Sequence, residues 1–224
     1  MIASGSTSAA LPALALGLAL ACFGCSGDAA GHEAPEAEAA DSSTAPPGRE
    51  APSEAERMPA PRAGSEVLGT PIAELLPTRW IGDAVPLTGP EAPRATLVRF
   101  WTDTCPFCAR SLPEIEMLRT RFGPQGFEAV GVYHPKPPRE VSEDDVARAA
   151  ERLTFSGPVA IDADWTSLRA IWLDATRSQE RRATSASFLI DDKGIVRFVH
   201  PGPEFVDDDL AQLERAIRVL LNES

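Results

Sequence analysis

Two cysteines separated by two residues, Cys105 and Cys108, are the side chains of this sequence best suited to chemistry. A Cys-x-x-Cys pair serves either reversible disulfide exchange or metal binding, and two inert core thiols are the remaining possibility. The attacking species in disulfide exchange is the thiolate, and a free cysteine with a pKa of about 8.5 supplies little of it at neutral pH. What the pair can do therefore depends on the elements that hold it.

The segments around the pair predict a strand, a helix and a second strand. Apolar residues at 95–101 and 127–133 indicate the strands, and residues 106–122 read as a helix that begins with a proline, which is tolerated in the first turn. Such a βαβ unit places Cys105 at a helix N-terminus, where unpaired N–H groups and the helix dipole stabilise a thiolate. We therefore predict that Cys105 is the exposed nucleophile and that Cys108 resolves the mixed disulfide.

The competing interpretations of the pair have less support. A structural zinc site takes four ligands, and the sequence offers one cysteine pair in this region and only scattered histidines. Inert core thiols are not expected beside Pro106 and Phe107 at the mouth of a helix. We predict a redox-active disulfide, with no bound metal and no other cofactor.

Several motifs together make a family resemblance specific. They are RFWTDTCPFC, GVYHPKP, AIDADW and SFLIDDKGIVRFVHPGPEF, and between them lie a predicted helix, a predicted hairpin and a final amphipathic helix. Residues 71–221 resemble the TlpA/ResA-like thiol-disulfide oxidoreductases, especially the branch related to the periplasmic domain of DipZ. The resemblance implies an α/β, thioredoxin-like fold with a central mixed sheet flanked by helices.

The resemblance also implies what the domain acts on. Expected partners are protein thiols and disulfides together with an upstream membrane electron donor, and the chain is expected to be a monomer. A substrate groove is expected at Trp101, Thr104, Pro106, Phe107, Thr184, Ser185 and Gly202. Relatives usually carry a cis-proline where this chain has Ser185, and a cis bond before a residue other than proline costs about 2.5 to 4 kcal/mol, so we expect a trans or rearranged peptide there.

Two alternative functions remain open. A copper-binding chaperone of the Sco type needs a histidine beside the cysteines, and His134 and His200 follow strands that end near that edge of the sheet. We expect these two histidines instead to be surface residues that end their strands before a proline. A peroxiredoxin-like peroxidase has Pro-x-x-x-Thr-x-x-Cys, of which Thr102 fits while Val98 occupies the proline position.

Arg99 lies six residues before Cys105, where thioredoxin-like relatives often hold an acid beneath the cysteine pair. An arginine cannot accept the proton of the resolving thiol, because it stays protonated at any accessible pH. If Arg99 lies under the site, its charge is expected to favour the thiolate and so to tune the thiol pKa. The alternative is that Arg99 points to the opposite face of the sheet and pairs with a carboxylate.

The N-terminal part of the sequence predicts export. Residues 1–25 contain an apolar run that ends in ALAC and CFGC, so they read as a signal peptide whose lipobox places the lipid on Cys22 or Cys25. Residues 26–66 form an acidic, Pro/Ala-rich segment that we predict to be a disordered tether, and residues 67–222 form the folded domain. We expect a bacterial lipoprotein on the periplasmic face of a membrane.

The charge of the chain argues against one class of function. The formal net charge is −12, and the segment 28–66 alone holds nine acidic and three basic residues. Nucleic-acid binding calls for a basic face, so no nucleic-acid partner is expected.

Overall fold

The computed structural model describes residue 53 and residues 57–60, 63–175 and 183–223. All of them belong to one compact unit, Arg49–Ser224. The predicted signal peptide at residues 1–25 and most of the predicted tether at residues 26–66 lie outside the described residues.

A six-stranded mixed sheet forms the centre of the described unit. Its strands are β1 (Trp80–Ile81), β2 (Ala95–Trp101), β3 (Phe127–Tyr133), β4 (Val159–Ile161), β5 (Ser187–Asp191) and β6 (Val196–His200). The strands follow the order β1-β4-β3-β2-β5-β6, in which β2, β3 and β4 are parallel and the remaining pairings are antiparallel. The predicted mixed sheet is confirmed.

Helices cover both faces of this sheet. They are α1 (Pro106–Phe122), α2 (Glu143–Arg152), the short α3 (Thr166–Leu168), which continues as a π-helical turn over Arg169–Leu173, and α4 (Asp209–Glu223). One core cluster joins the sheet to α1, α2 and α4, and a second joins the opposite face to α3 and its π turn. In the described part of the chain, no helix has the length and apolar character needed to cross a membrane.

Strand β2 lies in the middle of the sheet and all seven of its residues are buried, as expected for a strand covered on both faces. Successive side chains point to opposite faces, so Leu97 and Trp101 join the α1 cluster while Val98 and Phe100 join the other. The same alternation puts Arg99 on the face that α1 covers. The register of one strand therefore directs a cation toward the helix that carries the cysteines.

The folded part begins a few residues before the predicted boundary at Val67. A 3-10 turn spans Ser65–Val67, and Gly64 before it is buried with a φ of 87°. A Cβ atom at Gly64 would lie 2.6 Å from the Trp172 ring, so the position needs glycine for space as well as for conformation. Packing against Trp172 is a tertiary contact that the composition of the segment does not reveal.

Candidate redox site

Cys105 and Cys108 lie where β2 passes into α1. Cys105 is the N-cap of α1, and its sulfur accepts a hydrogen bond from the Cys108 backbone N–H at 3.4 Å. Pro106 occupies the first position of the helix, where a missing N–H costs no hydrogen bond. Cys105 is half-buried and Cys108 is fully buried, so an incoming thiol or disulfide can reach the first sulfur but not the second.

The sulfur of Cys108 has a polar neighbour inside the core. It lies 3.2 Å from the hydroxyl oxygen of Ser185, which is itself only 3% exposed. Burial raises the pKa of the Cys108 thiol above its ordinary value, while the charge of Arg99, the Ser185 hydroxyl and the Thr102 backbone act in the opposite direction. At neutral pH the resting Cys108 is therefore a thiol, because burial is the largest of these effects.

Arg99 is fully buried and cross-links four parts of the fold. Its Nη1 donates to the Ser187 hydroxyl at 2.9 Å and to the Gly202 carbonyl at 3.0 Å. Its Nη2 donates to the Ser111 hydroxyl in α1 at 2.8 Å and to the Pro203 carbonyl. Every one of these partners is uncharged, so within the described part of the chain the guanidinium is held in place by neutral acceptors.

The sequence allowed Arg99 to lie either beneath the cysteine pair or on the opposite face of the sheet with a carboxylate partner. The contact with Ser111 puts its side chain on the α1 face, and among the described residues no carboxylate forms an ion pair with it. Burial lowers the pKa of Arg99, while negative charge on Cys108, Cys105 and Glu114 acts against that shift. An arginine pKa is high enough for the guanidinium to stay charged even so. A buried cation thus lies next to the cysteine pair.

The residues predicted for a substrate groove fall into two groups. Thr104, Pro106 and Phe107 are exposed around Cys105, and Thr184 and Gly202 are half-buried. Trp101 and Ser185, in contrast, are buried, so their side chains lie beneath any groove and cannot form its surface, contrary to the prediction. Trp101 packs edge-on against Tyr133 with ring centroids 5.0 Å apart, which turns its indole into the core.

The peptide bond before Ser185 is trans, since Lys136-Pro137 is the only cis bond in the described residues. Serine at this position replaces the ring of a proline with a hydroxyl group, which faces the Cys108 sulfur.

The expectation that His134 and His200 are surface residues is wrong. His134 is fully buried at the end of β3 and its ring packs edge-on against Trp165, with centroids 5.5 Å apart. His200 is 3% exposed, and its Nε2 lies 3.0 Å from a carboxylate oxygen of Asp209 at the start of α4. His134 follows β3 and His200 is the last residue of β6. Other elements cover the ends of both strands, and the local sequence does not show that cover.

Burial has a strong effect on the protonation of His134. It lowers the pKa of His134 to about 4, with Lys136 and Arg99 adding to the shift and the Thr184 backbone opposing it. Neither ring nitrogen makes a hydrogen bond of normal geometry within the described residues. The ring is therefore neutral under ordinary conditions.

The copper-chaperone alternative requires a third metal ligand close to the cysteine pair. Within the described residues no three side chains of His, Cys, Asp or Glu are grouped closely enough to hold a metal ion. His134 and His200 therefore do not complete a three-ligand site with the cysteines, as the copper-chaperone alternative requires.

An exposed rim beside Cys105 was not predicted from the sequence. The guanidinium of Arg110 lies 4.9 Å from the centroid of the Phe107 ring and donates from Nε to a Glu204 carboxylate oxygen at 2.9 Å. Val206 further along the same loop is 51% exposed. The loop after β6 is thus fastened to α1 at the surface by Arg110 and in the interior by Arg99, and both contacts depend on tertiary packing.

A polar cavity of about 570 Å³ opens beside the segment that precedes Cys105. It is lined in part by Asp103 and Tyr133, and the Tyr133 hydroxyl donates to the Asp103 carboxylate at 2.9 Å. Burial, followed by the charge and hydrogen bonding of Asp103, raises the pKa of Tyr133 to about 12. This bond anchors the turn that delivers Cys105 to the helix.

Comparison with known proteins confirms the resemblance expected from the motifs. Protein DipZ of Mycobacterium tuberculosis is 29% identical over 134 residues, which are 58% of this chain and 17% of that protein. Thiol-disulfide oxidoreductase ResA of Halalkalibacterium halodurans is 26% identical over 141 residues, which are 63% of this chain and 69% of that protein. The chain therefore matches only a small part of the much longer DipZ.

The fold and the family are shown by two further comparisons. A solved thioredoxin-like protein in its oxidised form aligns with a TM-score of 0.50 at 19% identity, over 69% of this chain and 96% of the other, which confirms the thioredoxin-like fold. The model of the Redoxin family matches residues 76–217, which include Cys105, Cys108 and most of the described unit. The chain belongs to the Redoxin family.

Proposed function

We propose that the chain is a thiol-disulfide oxidoreductase that exchanges disulfides with protein thiols through Cys105 and Cys108. The observation that carries the proposal is the placement of the pair: one sulfur is accessible at a helix N-terminus and the other is buried one turn along the same helix. The accessible sulfur accepts a hydrogen bond from the Cys108 backbone N–H in the first turn of the helix, and the buried thiol is within reach of the mixed disulfide. The names of ResA and of a further relative, YkuV of Bacillus subtilis, agree with this chemistry.

The two thiols are expected to differ strongly in reactivity. Brief alkylation of the fully reduced chain, followed by peptide mapping, is expected to label Cys105 at least about tenfold faster than Cys108, because only Cys105 is accessible and burial raises the pKa of Cys108. After mild oxidation both thiols are expected to be protected together as one intramolecular disulfide. Preferential labelling of Cys108, or the absence of a Cys105–Cys108 disulfide, would overturn the assignment.

The location of the protein is a separate part of the proposal. The apolar run before Cys22 and Cys25, and the acidic Pro/Ala-rich segment after it, support export followed by lipid attachment to one of these cysteines. The domain would then work at the periplasmic face of a membrane, where an upstream donor of electrons can reach it.

Mass spectrometry of the mature protein tests this location. We expect the N-terminal residue to be Cys22 or Cys25 carrying a lipid, with the other cysteine either removed or unmodified. Cys22→Ser and Cys25→Ser, made singly, identify which residue is used, because only one of them is expected to block lipidation. An unmodified N-terminus upstream of Cys22 would contradict the lipoprotein assignment and leave the redox assignment intact.

A further inference from the structure

Arg99 is a buried cation that has no anionic partner among the residues that the structure describes. Its four hydrogen-bond acceptors are two hydroxyl groups and two carbonyl groups, and its Nε has no acceptor among the described residues. Removing a charge from water is costly, and neutral acceptors offset that cost less well than an anion does. The groups whose negative charge most favours charged Arg99 are Cys108 and then Cys105, with Glu114 after them. The Ser111 hydroxyl that accepts from Arg99 lies 3.5 Å from the Cys108 carbonyl oxygen, so the guanidinium packs against the turn of α1 that carries Cys108. A negative sulfur is thus the anion that this site is best placed to receive.

Ser185 adds a hydrogen-bonding group at the same sulfur. Its hydroxyl lies 3.2 Å from the Cys108 sulfur, and both groups are buried away from solvent. A hydroxyl can rotate to donate to a thiolate or to accept from a thiol, which a proline at this position cannot do. Ser187, two residues further along, accepts from Arg99 at 2.9 Å. The segment that begins β5 therefore supplies one hydroxyl to the sulfur and one to the cation beside it.

We propose that Arg99 and Ser185 form a site for negative charge on the Cys108 sulfur, which serves the step that makes or breaks the Cys105–Cys108 bond. The inference rests on the proposed function, since it concerns the same disulfide. In relatives with an acid at the position of Arg99, a buried carboxylate can accept the proton of the resolving thiol. In this chain Arg99 cannot accept that proton, and Arg99 and Ser185 instead stabilise the Cys108 thiolate that remains when the proton leaves.

The chemistry passes through a charged Cys108 in either direction. When the chain is the oxidant, a substrate thiolate attacks the Cys105 sulfur, the Cys105–Cys108 bond breaks, and Cys108 leaves with the electron pair. When the chain is the reductant, Cys108 loses its proton and attacks the Cys105 sulfur of the mixed disulfide. The substrate sulfur then leaves as a thiolate and takes up a proton equivalent to the one that Cys108 lost. Both routes need a transient thiolate in the core.

The resting state of Cys108 fits this role. Burial raises the pKa of its thiol, so Cys108 is uncharged at rest. Arg99 and Ser185 lower the free-energy cost of the buried thiolate without removing it. Their main effect is therefore expected on the rate at which the Cys105–Cys108 bond forms or breaks and on the titration of Cys108, because both involve the Cys108 thiolate. A purely structural role for Arg99 would affect folding without a specific effect on either quantity.

The rate of the step can be measured on the full chain by mixing its oxidised form with dithiothreitol and following tryptophan fluorescence. Trp101 belongs to the same core cluster as Cys108 and provides the signal. Relative to the unmodified chain, Arg99→Met is expected to slow disulfide cleavage about tenfold or more, and Ser185→Ala roughly threefold to tenfold. Arg99→Lys keeps the charge, so its cleavage rate is expected to fall less than that of Arg99→Met. Ser185→Thr keeps the hydroxyl, so its cleavage rate is expected to fall less than that of Ser185→Ala.

A matched control separates the specific effect from general electrostatics. Arg121→Met removes a charge from the other end of α1, where Arg121 is exposed and its field is screened, so the cleavage rate is expected to change less than about twofold. An equal loss in Arg121→Met and Arg99→Met would overturn the proposal, and so would equal rates in Ser185→Ala, Ser185→Thr and the unmodified chain. The serine variants keep the test decisive if Arg99→Met does not fold.

A second measurement detects the charge directly. In chains that carry Cys22→Ser, Cys25→Ser and Cys105→Ser, Cys108 is the remaining cysteine, so the ultraviolet absorbance of the thiolate reports it. Its titration midpoint is expected to move to higher pH when Arg99→Met or Ser185→Ala is added. An unchanged midpoint in both of these variants contradicts the inference. If the unmodified chain forms a reversible Cys105–Cys108 disulfide but the Arg99 and Ser185 variants have the same cleavage rates and titration midpoints as their parent chains, only this inference fails. If no such disulfide forms, the proposed function itself fails.

Discussion

Cys105→Ser is expected to lower the rate of disulfide exchange with protein substrates by at least about a hundredfold, because a serine hydroxyl cannot replace the attacking thiolate. Cys108→Ser is expected to fail differently. Cys105 can still attack a substrate disulfide, but no buried thiol remains to resolve the product, so the chain accumulates as a mixed disulfide with its substrate. Non-reducing gel electrophoresis with mass spectrometry distinguishes the two outcomes, and the trapped species also identifies the substrate.

The other two cysteines supply a matched control for these variants. Cys22 and Cys25 precede the described residues, and we propose that one of them carries the lipid, so a chain carrying both Cys22→Ser and Cys25→Ser is expected to keep its exchange rate in solution. A trapped mixed disulfide in Cys105→Ser, or loss of exchange in the chain that lacks only Cys22 and Cys25, would show that the reactive thiol lies elsewhere.

The free energy of unfolding is expected to fall by about 3 kcal/mol between pH 7 and pH 4 through His134 alone. Burial lowers the pKa of this histidine to about 4 from an ordinary value of 6.5. As the pH falls below 6.5 the unfolded chain takes up a proton at His134 and the folded chain does not, so protonation draws the equilibrium toward the unfolded state. Above 6.5 both states are neutral at this position and it has no effect; below about 4 the loss levels off.

Urea unfolding at a series of pH values tests this prediction. His134→Gln removes the titration, so its stability is expected to fall less steeply than that of the unmodified chain over this window, whatever its stability at pH 7. His32→Gln is the control: His32 lies in the predicted tether, and its replacement is expected to leave the profile unchanged. Parallel pH profiles for His134→Gln and the unmodified chain would show that His134 becomes charged without unfolding the protein.

Local pattern was enough to predict the frame of the site. Apolar runs predicted strands over residues 95–101 and 127–133, and the proline-led helix over residues 106–122 has the same bounds in the structure. These elements follow from side-chain periodicity and from the first-turn preference of proline, which are properties of neighbouring residues. The position of Cys105 as the N-cap follows from them, because it is the residue between the strand and the proline.

Other features depended on which distant segments meet. The sequence left two places for Arg99, and the contacts with Ser111 and with the loop after β6 decide between them. The hydroxyl of Ser185 meets the Cys108 sulfur across 77 positions of the chain, and no local pattern encodes that distance. Burial of Trp101 and Ser185 likewise depends on the neighbours that cover them, so two residues expected on the surface of a groove lie beneath it.

The family, the sheet, the helix that carries the pair and the order of the two cysteines along it could all be predicted from the amino-acid sequence, because periodicity, capping and motif spacing are properties of contiguous residues. The electrostatic environment of the pair, in contrast, follows from tertiary contacts: an arginine that is buried against neutral acceptors in the described residues, a serine hydroxyl beside the inner sulfur and a neutral histidine in the core. Charge, burial and hydrogen bonding depend on separations in space. Those separations were set when β2, α1 and the start of β5 came together around the Cys108 sulfur.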